Sequence, residues 1–469
     1  MKRYFLVLLL LGCFIEYSRG CGFAVELKLK PQMSRSFSAA TDVEIRALST
    51  RHGVELRQSY PGARTPELLL YYTLTGEQVN VESAVKDFFA TGKFESFVRE
   101  FETIYIDIPD NDFYVRGMGG QFHSSPCANP ISVNDPHFMD EHGWPLRLIN
   151  VPCAWTITTG NPNVLIGIVD TGFNTEHEDL RNQIVYAFGP PGVGSSHGTA
   201  VASVAAAETN NGRGMAGVGY NSRIVTYRTS LNGAVIRTAI WNLYQMDIPI
   251  PVINVSLSST GLNRLAAQEI TESGITLVLS AGNGPRDQQH GDIADIPGVI
   301  VVSSVNQNNM HAPTNFARNG HIDICAPGTG IVIAEGDNGY RVRDGTSFAA
   351  PFVSGTVALM LSVNPNLTPA QIERIIKDTA SPIADAHLFP GRLGAGLLNA
   401  YEAVKAARDF CVTNFINQNI TTNRAVATQC EINVQNVTIT NNARLTLDTP
   451  SRVIFSGDVQ IVSGALVIQ

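Results

Sequence analysis

Three side chains whose types could together do acyl-transfer chemistry stand at the ends of apolar runs. Asp170 closes "VLIGIVD", His197 opens "HGTAVASVAAAE", and Ser347 lies in "RDGTSFAAPFVSG". A serine hydroxyl is a weak nucleophile. It needs a base to take its proton, and the base needs a carboxylate to orient it. Asn283, closing "LVLSAGN", adds an amide donor suited to a developing oxyanion. Each residue alone has a structural explanation. Asp-Thr-Gly is turn chemistry, Ser347 stands where an N-cap serine would, and His197 and Asn283 suit a helix start and a turn. Together they form an acid, an imidazole, a hydroxyl and an amide, each beside Gly or Gly-Thr at an element boundary. Asp, His, Ser is one of the known triad orders.

The elements that must position these residues are short apolar runs. From about residue 133 to 408 they recur as "VLIGIVD", "RIVTYR", "PVINVSLS", "ITLVLSAGN", "GVIVVSSV" and "IDICAPG", with helical stretches such as "GTAVASVAAAE" and "GAVIRTAIWNLYQM" between them. Strands buried on both faces look like this, so the fold class is α/β, a mostly parallel sheet covered by helices. In such sheets the active residues sit at the carboxyl ends of strands.

"IVDTG", "HGT", "NVSLS", "SAGN" and "GTSFAAP" resemble, in order, the motifs of the subtilisin-like serine proteases, the subtilases. The resemblance runs from "NDPHFMDEHGWP" to "LGAGLLNAYEAVKAA", more than half of the chain. It implies Asp170 as the orienting carboxylate, His197 as base and then acid, Ser347 as nucleophile and Asn283 as oxyanion donor. It also implies that Ser256, Leu257 and Ser258, with Ser280, Ala281 and Gly282, flank a substrate added as an extended strand. Polypeptides are the substrates it implies. Two departures, Ala200 and Phe352, stand where many members carry histidine, and neither is in the triad. Asp179, Glu208, Asn210 and Asn211 fall where some members bind calcium and would supply oxygen ligands; catalysis itself needs no cofactor. Asp292 and Asp295, in "GPRDQQHGDIADIPG", would favour basic side chains or be solvated loop charges.

Residues 21–131 form a separate unit. Strand, helix, strand, strand, helix, strand is expected from "FAVELKLK", "ATDVEIRALSTRHGV" (Thr41 its cap), "VELRQSY", "ELLLYYTL", "VESAVKDFFATGKFESFVREF" (helical to Gly92) and "ETIYIDI". The resemblance makes this small α+β unit a propeptide, an intramolecular inhibitor, with a Gly- and Pro-rich linker at 109–132 open to cleavage. A permanent accessory domain is the other reading. Residues 1–20 ("MKRYFLVLLLLGCFIEYSRG") have the cations, short apolar run and small residues of a secretory signal. "LLGC" also resembles a lipoprotein box, so Cys13 would anchor the chain at the cell surface. A secreted or extracytoplasmic location lets cysteines pair, and Cys127 with Cys153 and Cys411 with Cys430 are candidates, while Cys325 suits a buried core. The net charge of −8, with no long Lys/Arg run, gives a nucleic-acid partner no footprint. Residues 409–469 alternate and break at Asn-Asn and Ser-Gly turns, as an all-β module or solenoid-like rungs would, ending on an apolar edge that calls for a cover. Three functions stay open: an endopeptidase, a binding protein on a protease fold, and a peptide ligase using the same acyl-enzyme.

Overall fold

The computed structural model describes residues 23–33, 37–39, 42–76, 78–99, 126–189, 196–257, 259–286, 290–312, 315–317, 321–428, 430–449 and 453–468. The signal and Cys13 readings, and most of the linker, lie outside the described residues.

The N-terminal unit is a four-stranded antiparallel sheet, order β2-β3-β1-β4, from β1 (Phe23–Leu29), β2 (Glu55–Gln58), β3 (Tyr71–Gly76) and β4 (Phe94–Arg99). Helices Val43–His52 and Gln78–Ala90 cover it around Leu27, Ile45, Leu74 and Phe88. Three details differ from the sequence reading. The first helix is capped by Asp42, whose Oδ1 accepts from the Ile45 N–H at 3.1 Å. Half of "ELLLYYTL" is a 3-10 turn, Pro66–Leu70, because Pro66 opens it at the first helical position. The last described strand is β4, drawn from "FESFVR"; "ETIYIDI" lies outside the described residues.

The central sheet has seven strands, ordered β13-β11-β9-β8-β5-β7-β6, all parallel. They are β5 (Leu165–Asp170), β6 (Ile184–Phe188), β7 (Arg223–Arg228), β8 (Val252–Val255), β9 (Thr276–Ser280), β11 (Val299–Val305) and β13 (Ile324–Pro327). Every residue of β5, β8, β9 and β11 is buried, which is why their sequences are unbroken apolar runs. β6 is a partly exposed edge and carried no such signal. From β5 the order runs one way to β7 and β6 and the other way to β8, β9, β11 and β13. That reversal opens a crevice at the carboxyl ends of β5 and β8. A short parallel pair, β10 (Gly284–Arg286) with β12 (Asn315–Ala317), and an antiparallel hairpin, β14 (Ile331–Glu335) with β15 (Gly339–Arg343), flank the sheet. Among the described residues the one helix long and apolar enough to cross a membrane, Thr346–Val363, is instead buried in this core.

The N-terminal unit docks on the helices Gly233–Tyr244 and Arg264–Glu272. Glu269 accepts the backbone N–H groups of Arg64 and Thr65 at 2.7 and 2.6 Å, and Trp241 donates to the Pro61 carbonyl at 3.0 Å. Arg237 is fully buried, 2.7 Å from Thr73 Oγ1 and 3.5 Å from the Glu26 carboxylate.

After Asp409 the chain coils into parallel rungs. β16 (Val412–Ile416), β19 (Glu431–Ile439) and β21 (Val453–Ile461) stack on one face, with β17 (Asn419–Ile420) beside β19. β18 (Arg424–Ala427), β20 (Ala443–Asp448) and β22 (Gly464–Ile468) stack on the other. Their core is small: Phe415, Ile420, Ile432, Val434, Val437, Ile439, Leu445 and Leu447. The pairs Cys127–Cys153 and Cys411–Cys430 are disulfides, and Cys325 is a buried thiol that burial pushes up to about 12.

Candidate active site

Asp170 is the last residue of β5 and has no exposed surface. Its Oδ1 accepts the Thr171 N–H at 2.6 Å and faces His197 Nδ1 at 2.8 Å. A carboxylate can only accept, so Nδ1 carries the hydrogen and Nε2 is the basic nitrogen. Asp170 Oδ2 is buried without a hydrogen-bond donor among the described residues. A carboxylate so placed orients the imidazole through Nδ1.

His197 opens the helix His197–Ala206 and is almost fully buried. The Gly-Thr that follows has two local jobs. A Cβ at Gly198 would stand 2.5 Å from the Gly172 carbonyl, so only glycine lets this helix approach the loop after β5. The Thr199 hydroxyl accepts the Asn174 N–H at 2.8 Å and fixes that loop.

Ser347 is not the cap of its helix. Gly345 holds that place at φ 156° and ψ 148°, and Ser347 is the second helical residue. Its own N–H therefore has no acceptor within the helix and points outward at the positive end of the dipole. Asn283 Oδ1 accepts from both the Thr346 N–H (2.9 Å) and the Thr346 hydroxyl (3.0 Å). This turns Asn283 Nδ2 towards Gly345, where an added Cβ would come within 3.4 Å of it. The Asn283 amide donor and the first turn of the Ser347 helix are thus locked together. The Phe348 ring lies 5.8 Å from the His197 ring, which brings the second part of the site alongside the first. In this structure the Ser347 hydroxyl donates to the Ser256 carbonyl at 3.2 Å.

Of the expected substrate-flanking residues, Ser256, Leu257, Ser280 and Ala281 are buried at the ends of β8 and β9, and Ser258 lies outside the described residues. The Ala281 N–H is bonded to the Val302 carbonyl, and the Gly282 N–H to Thr346 Oγ1. Asn254 and Ser256 stand in the "NVSLS" motif, but their bonding and the part of Ser354 and His290 gave no sequence signal. Asn254 Nδ2 donates to Ser256 Oγ at 2.9 Å, Ser256 Oγ to the Ser347 carbonyl at 2.7 Å, and Ser354 Oγ to Asn254 Oδ1 at 2.9 Å. That chain ties the Ser347 helix to β8 at two turns. His290, fully buried, contacts the Ser280 carbonyl at 3.0 Å, and burial pushes its pKa down to about 4. It is neutral and donates Nε2–H, fixing the end of β9 three residues before Asn283. Asp295 is paired with Arg264 at the surface, and the Asp292 carbonyl accepts from the same Arg264.

The four expected calcium ligands lie near one another. Asp179 accepts from Asn211 Nδ2 (3.0 Å), the Met215 N–H (2.9 Å) and the Tyr340 hydroxyl (2.9 Å). Asn210 Oδ1 accepts the Asn134 N–H, Asn211 Oδ1 the Arg213 N–H, and Glu208 Oε2 the Asn182 amide. Each of these side chains already accepts a hydrogen bond, and the oxygens with a single donor keep a lone pair that a cation could use.

A parallel α/β sheet with an acid at one strand end, an imidazole and a serine on two buried helices, and an amide at another strand end is the arrangement of parts that a serine hydrolase of α/β architecture uses. The subtilase family model matches residues 161–406, just over half of the sequence, and the chain belongs to the subtilase family. It is 32% identical over 285 residues to thermitase from Thermoactinomyces vulgaris, covering 58% of this chain and 99% of thermitase. It is 30% identical over 308 residues to a probable subtilase-type serine protease of Deinococcus radiodurans, covering 53% of this chain and 41% of that one. The chain thus spans less than half of the Deinococcus protein. Fervidolysin from Fervidobacterium pennivorans, described as a keratinolytic enzyme related to subtilisin, shares the fold over 83% of this chain and 62% of its own, with TM-score 0.60 and 21% identity.

Proposed function

We propose that the chain is an exported serine endopeptidase, made as a precursor that its N-terminal unit inhibits. The observation that carries the catalytic part is the 2.8 Å contact of Asp170 with His197, beside a serine whose N–H and a locked asparagine amide converge at one helix start. In the proposed cycle the Ser347 hydroxyl leaves the Ser256 carbonyl and turns to His197 Nε2. It attacks the peptide carbonyl as His197 takes its proton, a contribution of about 10²–10⁴-fold. The oxygen becomes an oxyanion, received by the Ser347 N–H and Asn283 Nδ2. His197 then protonates the leaving amine, and water repeats the steps on the acyl-enzyme. A structural calcium at Asp179, Glu208, Asn210 and Asn211 supplies no step in this cycle.

The precursor reading is supported by the docking of the N-terminal unit. Its loop at Pro61 to Thr65 is held by Glu269 and Trp241, and Tyr60 and Leu68 join the core of the catalytic domain. An accessory domain would dock in the same way, so the discriminating event is cleavage. Full-length chain and its Ser347→Ala form are expressed and followed by mass. The native chain is expected to shorten within residues 109–132 and to react with a serine-directed phosphonate, and the Ser347→Ala chain to do neither. If both persist intact and neither is labelled, the protease reading fails. Labelling without shortening removes only the precursor reading.

A further inference from the structure

We propose that His137, Asp140 and His142 form a zinc site on the surface of the catalytic domain. The three lie on one tight turn, spanning helix Pro136–Met139 and the 3-10 turn Glu141–Gly143. His137 Nδ1 stands 3.1 Å from Asp140 Oδ2, and His142 Nδ1 stands 3.0 Å from Asp140 Oδ1. All three ligand atoms lie within 4.8 Å of one another.

The spacing suits a metal. Ligands about 2.0–2.1 Å from zinc lie roughly 2.9–3.4 Å from each other in octahedral to tetrahedral geometry. The nitrogen-to-oxygen separations here already fall in that range. The chemistry suits zinc as well, since two imidazoles and a carboxylate form a borderline-soft set, whereas calcium and magnesium prefer all-oxygen sites. Half-exposure of all three side chains leaves room for water to complete the shell.

The turn is built in advance. The His142 N–H donates to Asp140 Oδ1 at 2.8 Å, Arg147 Nη2 donates to the Asp140 carbonyl at 2.9 Å, and the His137 N–H donates to the Gly214 carbonyl at 2.9 Å. The His137 ring also packs 5.1 Å from the Tyr340 ring on β15. Each imidazole now donates Nδ1–H to the carboxylate. On binding, each moves that proton to Nε2 and offers Nδ1 to the metal, with no change in redox state. The ion would then rigidify the turn that enters the catalytic domain, which His137 already joins to Gly214 and Tyr340.

The test uses full-length Ser347→Ala chain, freed of metal by EDTA and titrated with zinc by calorimetry at about pH 8, where imidazoles are available. One site with Kd on the order of 1 µM is expected. Cobalt in its place is expected to give visible ligand-field bands. His137→Ala with His142→Ala is expected to weaken zinc at least about tenfold and to abolish the bands, and zinc is expected to raise Tm by about 2–4 °C in the parent only. Asp140→Asn, which keeps the turn, is the second variant if the double one fails to fold. The proposal is overturned if the parent binds no zinc, or if both variants bind it as the parent does. Loss of activity in the native chain does not enter the result, so this outcome is separate from the fate of the protease reading.

Discussion

The catalytic domain and the C-terminal rungs are both built from parallel strands, yet only one of them gathers unlike chemistry. In the central sheet each strand is followed by a long crossover. Neighbouring strand ends therefore come from distant parts of the sequence, and Asp170, Ser256 and Asn283 meet near two buried helix starts. In the rungs, strands pair with residues 19 to 22 positions along the chain, and at several positions like lies on like. Asn433 bonds Asn414, Asn436 bonds Asn417, and Thr440 bonds Asn419. The same backbone ladder thus makes a site in one case and a repeating surface in the other. The difference lies in the length of the connection.

The sharpest way to break this comparison is to remove one asparagine from each region. Asn283→Ala removes the proposed oxyanion donor and also unlocks Thr346. A loss of about 10²–10³-fold in kcat is expected, with KM nearly unchanged. Asn433→Ala is expected to leave kcat within about twofold. Initial rates on a chromogenic peptide measure both. Equal effects would mean that the rungs contribute to the site, and a purely KM effect of Asn283→Ala would remove its oxyanion role.

Much of this division was legible in the sequence. Unbroken apolar runs marked β5, β8, β9 and β11, because burial on both faces leaves no polar position. Asp170, His197, Asn283 and Ser347 stood out because each combines a reactive type with a flanking glycine or Gly-Thr. What escaped notice was of two kinds. Ser354 and His290 act through bonds to segments 100 or 10 residues away, and the "NVSLS" stretch bonds the Ser347 helix through Asn254 and Ser256 from 100 and 91 residues away; nothing local betrays such partners. The strand β6 is an edge, with too little burial to leave a strong pattern. The cap of the Ser347 helix was misplaced by two residues because a glycine at φ 156° can replace a side-chain cap where the backbone itself must turn.

A smaller effect separates the two regions by pH. His290 is buried in the catalytic domain with a pKa near 4, against an ordinary value of 6.5. The unfolded chain therefore binds a proton that the folded chain refuses between those values. Stability from this group is full above about pH 6.5 and falls as pH drops towards 4, by on the order of 3 kcal/mol. Urea unfolding of Ser347→Ala protein, read by tryptophan fluorescence, measures it, since Trp144, Trp155 and Trp241 all lie in the catalytic domain. Between about pH 7 and pH 4.5 the midpoint is expected to drop, and His290→Gln to flatten that drop while lowering stability at neutral pH. An unchanged slope in His290→Gln would move the acid sensitivity to other groups.

The smallest effect belongs to the rungs, and it asks what their asparagines do. Asn436 sits at φ 49°, where the pairing of β19 with β21 shifts register, and Asn417 beneath it sits at φ 53°. Two causes favour asparagine there: its tolerance of the left-handed region, and the 2.9 Å bond from Asn436 Nδ2 to Asn417 Oδ1. Asn436→Gly keeps the backbone freedom and loses the bond; Asn436→Ala loses both. If the bond matters most, the two variants are equally destabilised, by about 0.5–1.5 kcal/mol. If the backbone matters most, glycine is nearly neutral and alanine costs about 1–2 kcal/mol. The second outcome is expected, because the bond is exposed to water and the strain is not relieved by it. Hydrogen exchange of the β19 and β21 amides reads the difference, and the tryptophan signal is expected to be blind to it. Were the tryptophan transition to shift with either variant, the rungs and the catalytic domain would be unfolding as one unit, and the separation between the two regions would hold for chemistry but not for stability.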